Sequence, residues 1–270
     1  MMSSYANRGF WLWVILCWST LTSANPVLEV QHLGNEGVLL HSGETTVLID
    51  AFIPEETYGR YAGLAPETWQ SMLDRRGAFS SVRLALASHV HVDHFQPDAA
   101  VAFLRAHPET EFVSTAQVVE ALASVEGAAA VAGRVEAVET GGIDFSISAH
   151  AGIRVEFLRL DHGGEFEDIQ NLGHLVHVNG FKVLHIGDAE MSRENFQRFG
   201  LAQRDLDVAF VPYWYFLNPS GVEVYRQFLQ ADSVWAVHIP PAQVDQVRAR
   251  LAESFPEVLV GNGNRRGLIK

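Results

Sequence analysis

Cysteine, basic residues and long apolar runs are all scarce in this chain. A single cysteine among 270 residues cannot close an internal disulfide, and it excludes a cysteine-rich zinc ribbon. Nineteen basic residues face 32 acidic ones, a formal charge of −13 that argues against a nucleic-acid partner, since phosphate backbones are bound by basic surfaces. Arg159, Lys182 and Arg193 are scattered and there is no glycine-rich phosphate loop, so a nucleotide or polyphosphate substrate is disfavoured. The 22 glycines and ten prolines exclude a collagen-like or proline-rich linker chain. With 48% hydrophobic and 19% charged residues the chain can build a sizeable core, and its length suits one large domain or two small ones.

The longest apolar run lies at the start. Arg8 precedes it, it spans residues 10–18, and the small polar residues 19–24 follow, ending in Ala24. It is shorter than the ~20 residues of a comfortable bilayer span. Positive segment, apolar core and small-residue exit in this order describe a secretory signal peptide, with cleavage expected after Ala24 and a mature domain over residues 26–270. A retained N-terminal membrane anchor is the alternative. Cleavage would remove Cys17 with the leader and leave a periplasmic or secreted protein with no stable membrane insertion. Such a protein is held by its core, possibly helped by metal, and not by disulfides.

After residue 27 no repeat or low-complexity linker appears. Strands are expected over residues 27–32, 37–41 and 46–53, with Ser42-Gly43-Glu44 as a hairpin turn. Residues 54–80 form a polar and aromatic excursion with a short helix over 66–75. A buried strand follows at 83–88, then a helix at 98–107, a strand at 111–114 and a helix at 115–125. Strands at 134–138, 143–149, 154–160, 173–178 and 182–186 are separated by turn signals at Gly141-Gly142, Ala151-Gly152 and Asn179-Gly180. The tail alternates helices at 192–199, 221–229 and 242–253 with strands at 208–211, 233–238 and 257–260. Two blocks of strands, each followed by helical material, suit two sheets packed face to face with helices outside.

What the chain has in excess is histidine, twelve in all. Three of them fall within Ser88-His89-Val90-His91-Val92-Asp93-His94, directly after the apolar strand at 83–87. Imidazole nitrogens plus one carboxylate oxygen are the ligand mixture that Zn²⁺ accepts. On a turning loop His89 and His91 can share one ion while Asp93 and His94 swing toward a second.

This string resembles the metallo-β-lactamase superfamily. The family's later positions correspond here to His162 after one strand, Asp188 ending another and His238 near the C-terminus, and residues 47–50 look like the family's first site-bearing strand. The resemblance runs from about residue 28 to 260 and implies an α/β fold, a four-layer αββα sandwich of two mixed β-sheets with outer helices. It implies one metal on His89, His91 and His162, a second on Asp93, His94 and His238, and Asp188 bridging them. Zn²⁺ is the favoured ion, with Fe or Mn also compatible. His174 and His177 are rivals of His162; they sit three apart inside an expected strand and so point to opposite faces. Asp50 and Ser88 read as groups that orient ligand imidazoles, beside a plain strand-end role. His185 reads as a hydrogen-bonded core histidine or, less favoured, a proton-transfer group.

The function so implied is hydrolysis of a small ester, lactone, amide or phosphodiester by a metal-held hydroxide, with Asp93 orienting it and accepting its proton. The sequence looks more like the general hydrolase branch, with its lactonase- and phospholipase-D-like members, than like the β-lactamases proper. A non-catalytic exported metal-binding or sensor protein on the same scaffold is the alternative of a different class. A small-molecule substrate is expected against two aromatic clusters, Tyr213, Trp214, Tyr215 and Phe216 on one strand exit, and Tyr58, Tyr61 and Trp69 in the excursion. An ordinary aromatic lid packed on the sandwich is an equal reading of both.

Overall fold

The computed structural model describes residues 26–138, 145–263 and 265–270; the expected leader and the Gly141-Gly142 turn lie outside them. The described chain opens with Leu28–Gly34 (β1), Gly37–Ser42 (β2) and Thr45–Ile49 (β3), each antiparallel to the one before. Between β2 and β3 Gly43 takes φ +61°, a left-handed turn conformation that costs glycine no Cβ clash. The third strand stops at Ile49, four residues short of expectation, because Asp50 itself turns left-handed and leaves the sheet.

Helix Pro66–Leu73 (α1) precedes three parallel strands, Val82–Leu86 (β4), Glu111–Ser114 (β5) and Val135–Ala137 (β6). Helices Pro97–Ala106 (α2) and Ala116–Ala123 (α3) connect them. Proline opens α1 and α2, where its missing N–H has no intrahelical partner to lose, and the Thr115 side chain caps α3 by accepting the Val118 N–H.

The second block starts with four antiparallel strands, Phe145–His150 (β7), Ile153–Asp161 (β8), Gln170–Val178 (β9) and Phe181–His185 (β10). The β7–β8 and β9–β10 turns fall on Ala151-Gly152 and Asn179-Gly180, with both residues of each pair at positive φ, as a two-residue hairpin of this hand requires. Strands Leu206–Pro212 (β11), Ala231–Val237 (β12) and Leu259–Val260 (β13) continue the sheet in parallel. Helices Arg193–Phe196 (α4), Pro219–Phe228 (α5) and Val244–Ser254 (α6) lie between β10 and β13 in sequence.

A last strand, Arg266–Ile269 (β14), returns to the first sheet and pairs antiparallel with β1. The sheet orders are β14-β1-β2-β3-β4-β5-β6 and β13-β12-β11-β10-β9-β8-β7. No strand is expected beyond residue 260 on sequence grounds, because the four residues of β14 alternate only between exposed and half-buried.

Three apolar layers separate four layers of structure. Val47, Ile49, Leu84 and Leu86 meet Val183, Phe210, Trp235 and Val237 between the sheets. Leu48, Ala85 and Ala87 face outward onto α2 and α3 residues such as Phe103 and Val118, while Leu184, Val211 and Ala236 face α5 and α6 residues such as Val224 and Leu251. Strands covered on both faces need apolar residues at successive positions, which is why β4, β11 and β12 read as continuous runs. Removing each such Val, Leu or Ile from water is worth roughly 1.5–3 kcal/mol. The result is the expected αββα sandwich of two mixed sheets. Among the described residues no helix is long and apolar enough to cross a membrane.

Candidate metal centre

The seven residues proposed as ligands on sequence grounds come from four strand exits. The loop after β4 carries His89, His91, Asp93 and His94 and folds into one tight turn, with the His94 and Phe95 amides both donating to the His91 carbonyl. His162 follows β8 and Asp188 follows β10. Backbone bonds from Gly163 N to Asp188 O (3.1 Å) and from Glu190 N to Asp161 O (2.8 Å) tie those two exits together. His238 follows β12 with φ +61°, a strained conformation for a non-glycine residue that aims its ring back at the loop.

Four groups of potential metal donors result among the described residues; His89, His94 and Asp188 make one and Glu36, Asp50 and His185 another, and the remaining two are the sets expected from the sequence. His89, His91 and His162 form one, with the His89 Nε2 atom 3.0 Å from His91 Nδ1 and ring centroids of all three within 4.9 Å. Asp93, His94 and His238 form the other, with Asp93 Oδ2 3.2 Å and His94 Nε2 3.1 Å from His238 Nε2. Asp188 reaches between them: one carboxylate oxygen lies 3.8 Å from His162 Nε2 and 3.4 Å from His238 Nε2, the other 3.5 Å from His94 Nε2. The chain thus brings His162 to His89 and His91, and neither rival. His174 is wholly buried within β9, and His177 on the other face bonds Glu156 Oε1 at 3.0 Å.

The donors are also oriented for a cation. Asp50 Oδ2 takes the His94 Nδ1–H at 2.8 Å, which turns the other ring nitrogen inward. The Gly163 carbonyl does the same for His162 at 2.7 Å, and His162 Nε2 and Asp188 Oδ1 are buried with no hydrogen-bond partner among the described residues. Ser88 Oγ donates to Asp50 Oδ2 at 2.6 Å and lies 3.0 Å from His89 Nδ1. Buried polar atoms left unpaired are costly, so a converging set of them fits a cation that would complete them.

The protein's own charges reinforce this. Burial pushes Asp188 toward neutrality, but the His238 and His94 imidazoles outweigh it and hold the carboxyl well below the usual range. Asp93 is likewise lowered against its burial by the hydrogen bond with His238. His238 is raised to about 9 because Asp188 and Asp93 overcome desolvation, whereas His89 is driven well below 6.5 by burial and by the neighbouring His94. Two carboxylates thus stay ionised in a buried pocket, facing imidazoles whose protons a divalent ion can replace.

Sequence reasoning missed the turn between β1 and β2. There Glu36 is wholly buried, 3.9 Å from His94 Nδ1 and 3.6 Å from His185 Nε2, and burial with the Asp188 charge raises its carboxyl to about 8. His185 is a core residue whose Nε2–H donates to the Glu36 carbonyl at 3.0 Å. Nothing in the local pattern marks Glu36 except a polar pair flanked by glycines, Gly34-Asn35-Glu36-Gly37, between two apolar strands.

A cavity of about 740 Å³ opens on the centre, lined by His162 and Asp188 together with Tyr61, Phe166, Met191 and Trp214. Tyr61 and Trp214 meet the His238 ring edge-on at 4.5 and 4.9 Å, and Phe166 meets His91 at 4.8 Å. Of the seven aromatic residues expected along the pocket, Tyr61 and Trp214 are among the lining residues. Tyr213 and Tyr215 are buried and hydrogen-bond Gln243 Oε1 and the Ala189 carbonyl, because successive residues of a short 3₁₀ turn face different ways. Tyr58 is 66% exposed, takes a left-handed backbone at φ +55° and is not among the residues that line the cavity.

The family model for the beta-lactamase superfamily domain matches residues 45–250 of the chain. No curated protein matches it significantly. Among solved structures, the metallo hydrolase Igni18 from Ignicoccus hospitalis superposes with a TM-score of 0.61 at 15% identity, over 90% of this chain and 99% of that one. The metallo-beta-lactamase fold protein YhfI from Bacillus subtilis gives 0.60 at 13% identity, over 90% and 100%. CmlA, a diiron beta-hydroxylase from Streptomyces venezuelae, gives 0.52 at 16% identity, over 92% of this chain and 55% of that one.

Proposed function

The chain belongs to the beta-lactamase superfamily, and we propose that it is a dinuclear metal-dependent hydrolase of a small ester, lactone, amide or phosphodiester. The observation that carries this reading is the pair of donor groups that converge from four strand exits and are spanned by Asp188, with His162 Nε2 and Asp188 Oδ1 buried and unpaired among the described residues. His89, His91 and His162 would hold one ion, Asp93, His94 and His238 the other, and Asp188 would reach both. Divalent cations there would polarise the scissile bond and bring a water within reach of neutral deprotonation.

The residues around the centre supply the rest. Asp93, its Oδ2 held 3.2 Å from His238 Nε2, orients the attacking water and takes its proton. Asp50 and the Gly163 carbonyl keep His94 and His162 in the tautomers that face inward. Tyr61, Phe166 and Trp214 form apolar walls that seat the non-reacting part of the substrate and exclude bulk water. Burial raises the Tyr61 hydroxyl to about 12, so it remains a neutral donor at the cavity wall. The leader-like residues 1–24 support export as part of the same proposal.

Metal analysis of the purified protein, with turnover of chromogenic esters, lactones, phosphodiesters and a cephalosporin, tests the reading. We expect His91→Ala and Asp188→Ala each to lower turnover by at least ~100-fold. Turnover that survives both substitutions would overturn it, and full metal content with no turnover on any class would favour the non-catalytic alternative.

A further inference from the structure

The turn between β1 and β2 touches the centre from beneath, and it touches one half. The Asn35 Nδ2–H donates to the Asp93 carbonyl at 2.9 Å and reaches its Oδ2 at 3.4 Å, fixing where that carboxylate sits. The Asn35 carbonyl accepts the His238 amide N–H at 3.0 Å and the His32 Nε2–H at 2.8 Å, so the strained exit of β12 is pinned to the same residue. Glu36 stands behind His94, 3.9 Å from its Nδ1, and its carbonyl holds His185.

The turn is itself built for close approach. Asn35 is buried in the left-handed region at φ +41°, which asparagine tolerates better than most residues. A Cβ on the neighbouring Gly37 would fall 2.9 Å from the Asp50 carbonyl, so only glycine lets the turn reach the floor of the site. Among the described residues no hydrogen bond or ion pair runs from Asn35 or Glu36 to His89, His91 or His162.

We propose that Asn35 and Glu36 are positioning residues for the Asp93–His94–His238 half of the centre alone, so that the β1–β2 turn sets the affinity of one of its two metal sites independently of the other. This rests on the dinuclear reading above. Partners that orient ligands commonly govern metal affinity by ~10–100-fold, and here the partner contacts are confined to one donor group. Asn35 carries the larger share, because it contacts Asp93 directly and His238 through its backbone.

Titration of the metal-stripped full chain with Co²⁺, followed by its visible absorption and by calorimetry, tests this. The unaltered protein is expected to bind in two resolvable steps. Asn35→Ala is expected to weaken one step by ~10–100-fold and leave the other, with its absorption bands, within about two-fold. Glu36→Ala is expected to weaken the same step. Adding Asn35→Ala to Asp93→Ala should bring no further loss, since the partner it positions is already gone. Equal weakening of both steps, as from general loosening of the fold, or no weakening of either, would overturn the inference while leaving the dinuclear reading intact. An unaltered protein that binds fewer than two ions would overturn both.

Discussion

His174 shows how a single buried side chain separates structure from chemistry. It is wholly buried against Phe157 and His185, and neither ring nitrogen has a hydrogen-bond partner among the described residues. Burial lowers its pKa to about 3, and His32, buried and near His185 but bonded to the Asn35 carbonyl, is lowered to about 4. Both pKa values lie below the unfolded value of 6.5, so the unfolded chain takes up protons that the fold refuses. Their stabilisation is complete above pH 6.5 and drains away as pH falls through 6.5 toward 4 and 3. Urea unfolding of the chelated protein at about pH 7.5 and about pH 5 should show these two groups costing roughly 4 kcal/mol together on acidification. His174→Leu should raise stability by about 1 kcal/mol at neutral pH and flatten that loss. Unchanged stability and an unchanged acid limb would show that His174 finds partners in solution. At this scale the candidate donors of the β4 loop were legible, because His89, His91, Asp93 and His94 are close in the chain. Asn35, Glu36 and Phe166 escaped notice because their meaning lies in contacts made across the fold.

Among the elements, the strand exits carry the design. Each apolar strand could be read from composition, but His162, Asp188 and His238 are singled out at the strand ends by the resemblance to the superfamily. The exits still depend on special backbone. Gly187 sits between His185 and Asp188 at φ +55°, and a Cβ there would press on Asn171 Oδ1 and lie 2.8 Å from the Ser88 Cβ. Gly187→Ala is expected to cost ~2–4 kcal/mol and to carry Asp188 out of place, which thermal unfolding and metal content would both register. The element the sequence concealed is β14, which covers the edge of β1 and sets Gly267 against the Trp235 indole. Deleting residues 266–269 should lower the melting temperature and, by baring the β1 edge, promote association at high concentration; light scattering beside thermal unfolding would detect both. A monomer of unaltered stability would mean that β14 is an ornament of the sheet.

Across the whole molecule, the centre joins the two halves of the sandwich. The first sheet supplies Asp50, the β4 loop and the β1–β2 turn; the second supplies His162, Asp188 and His238. No short window of sequence contains this arrangement; the resemblance to the superfamily implied it, and the order of strands and helices alone did not. The pocket walls were less legible. Tyr213, Trp214 and Tyr215 are adjacent in sequence, but one lines the cavity and two are core, a difference set by the turn that carries them. The scarcity of cysteine and of basic residues now has a counterpart in the fold: the described chain is held by three apolar layers, and its site is dominated by imidazoles and carboxylates. The most direct test of the central claim is the rate of hydrolysis of a substrate found by the chromogenic panel, measured on chelated protein as Zn²⁺ is returned stepwise. No turnover is expected after chelation, with recovery that saturates near two ions per chain. Turnover that persists in the fully chelated protein, or recovery that owes nothing to added metal, would contradict that claim.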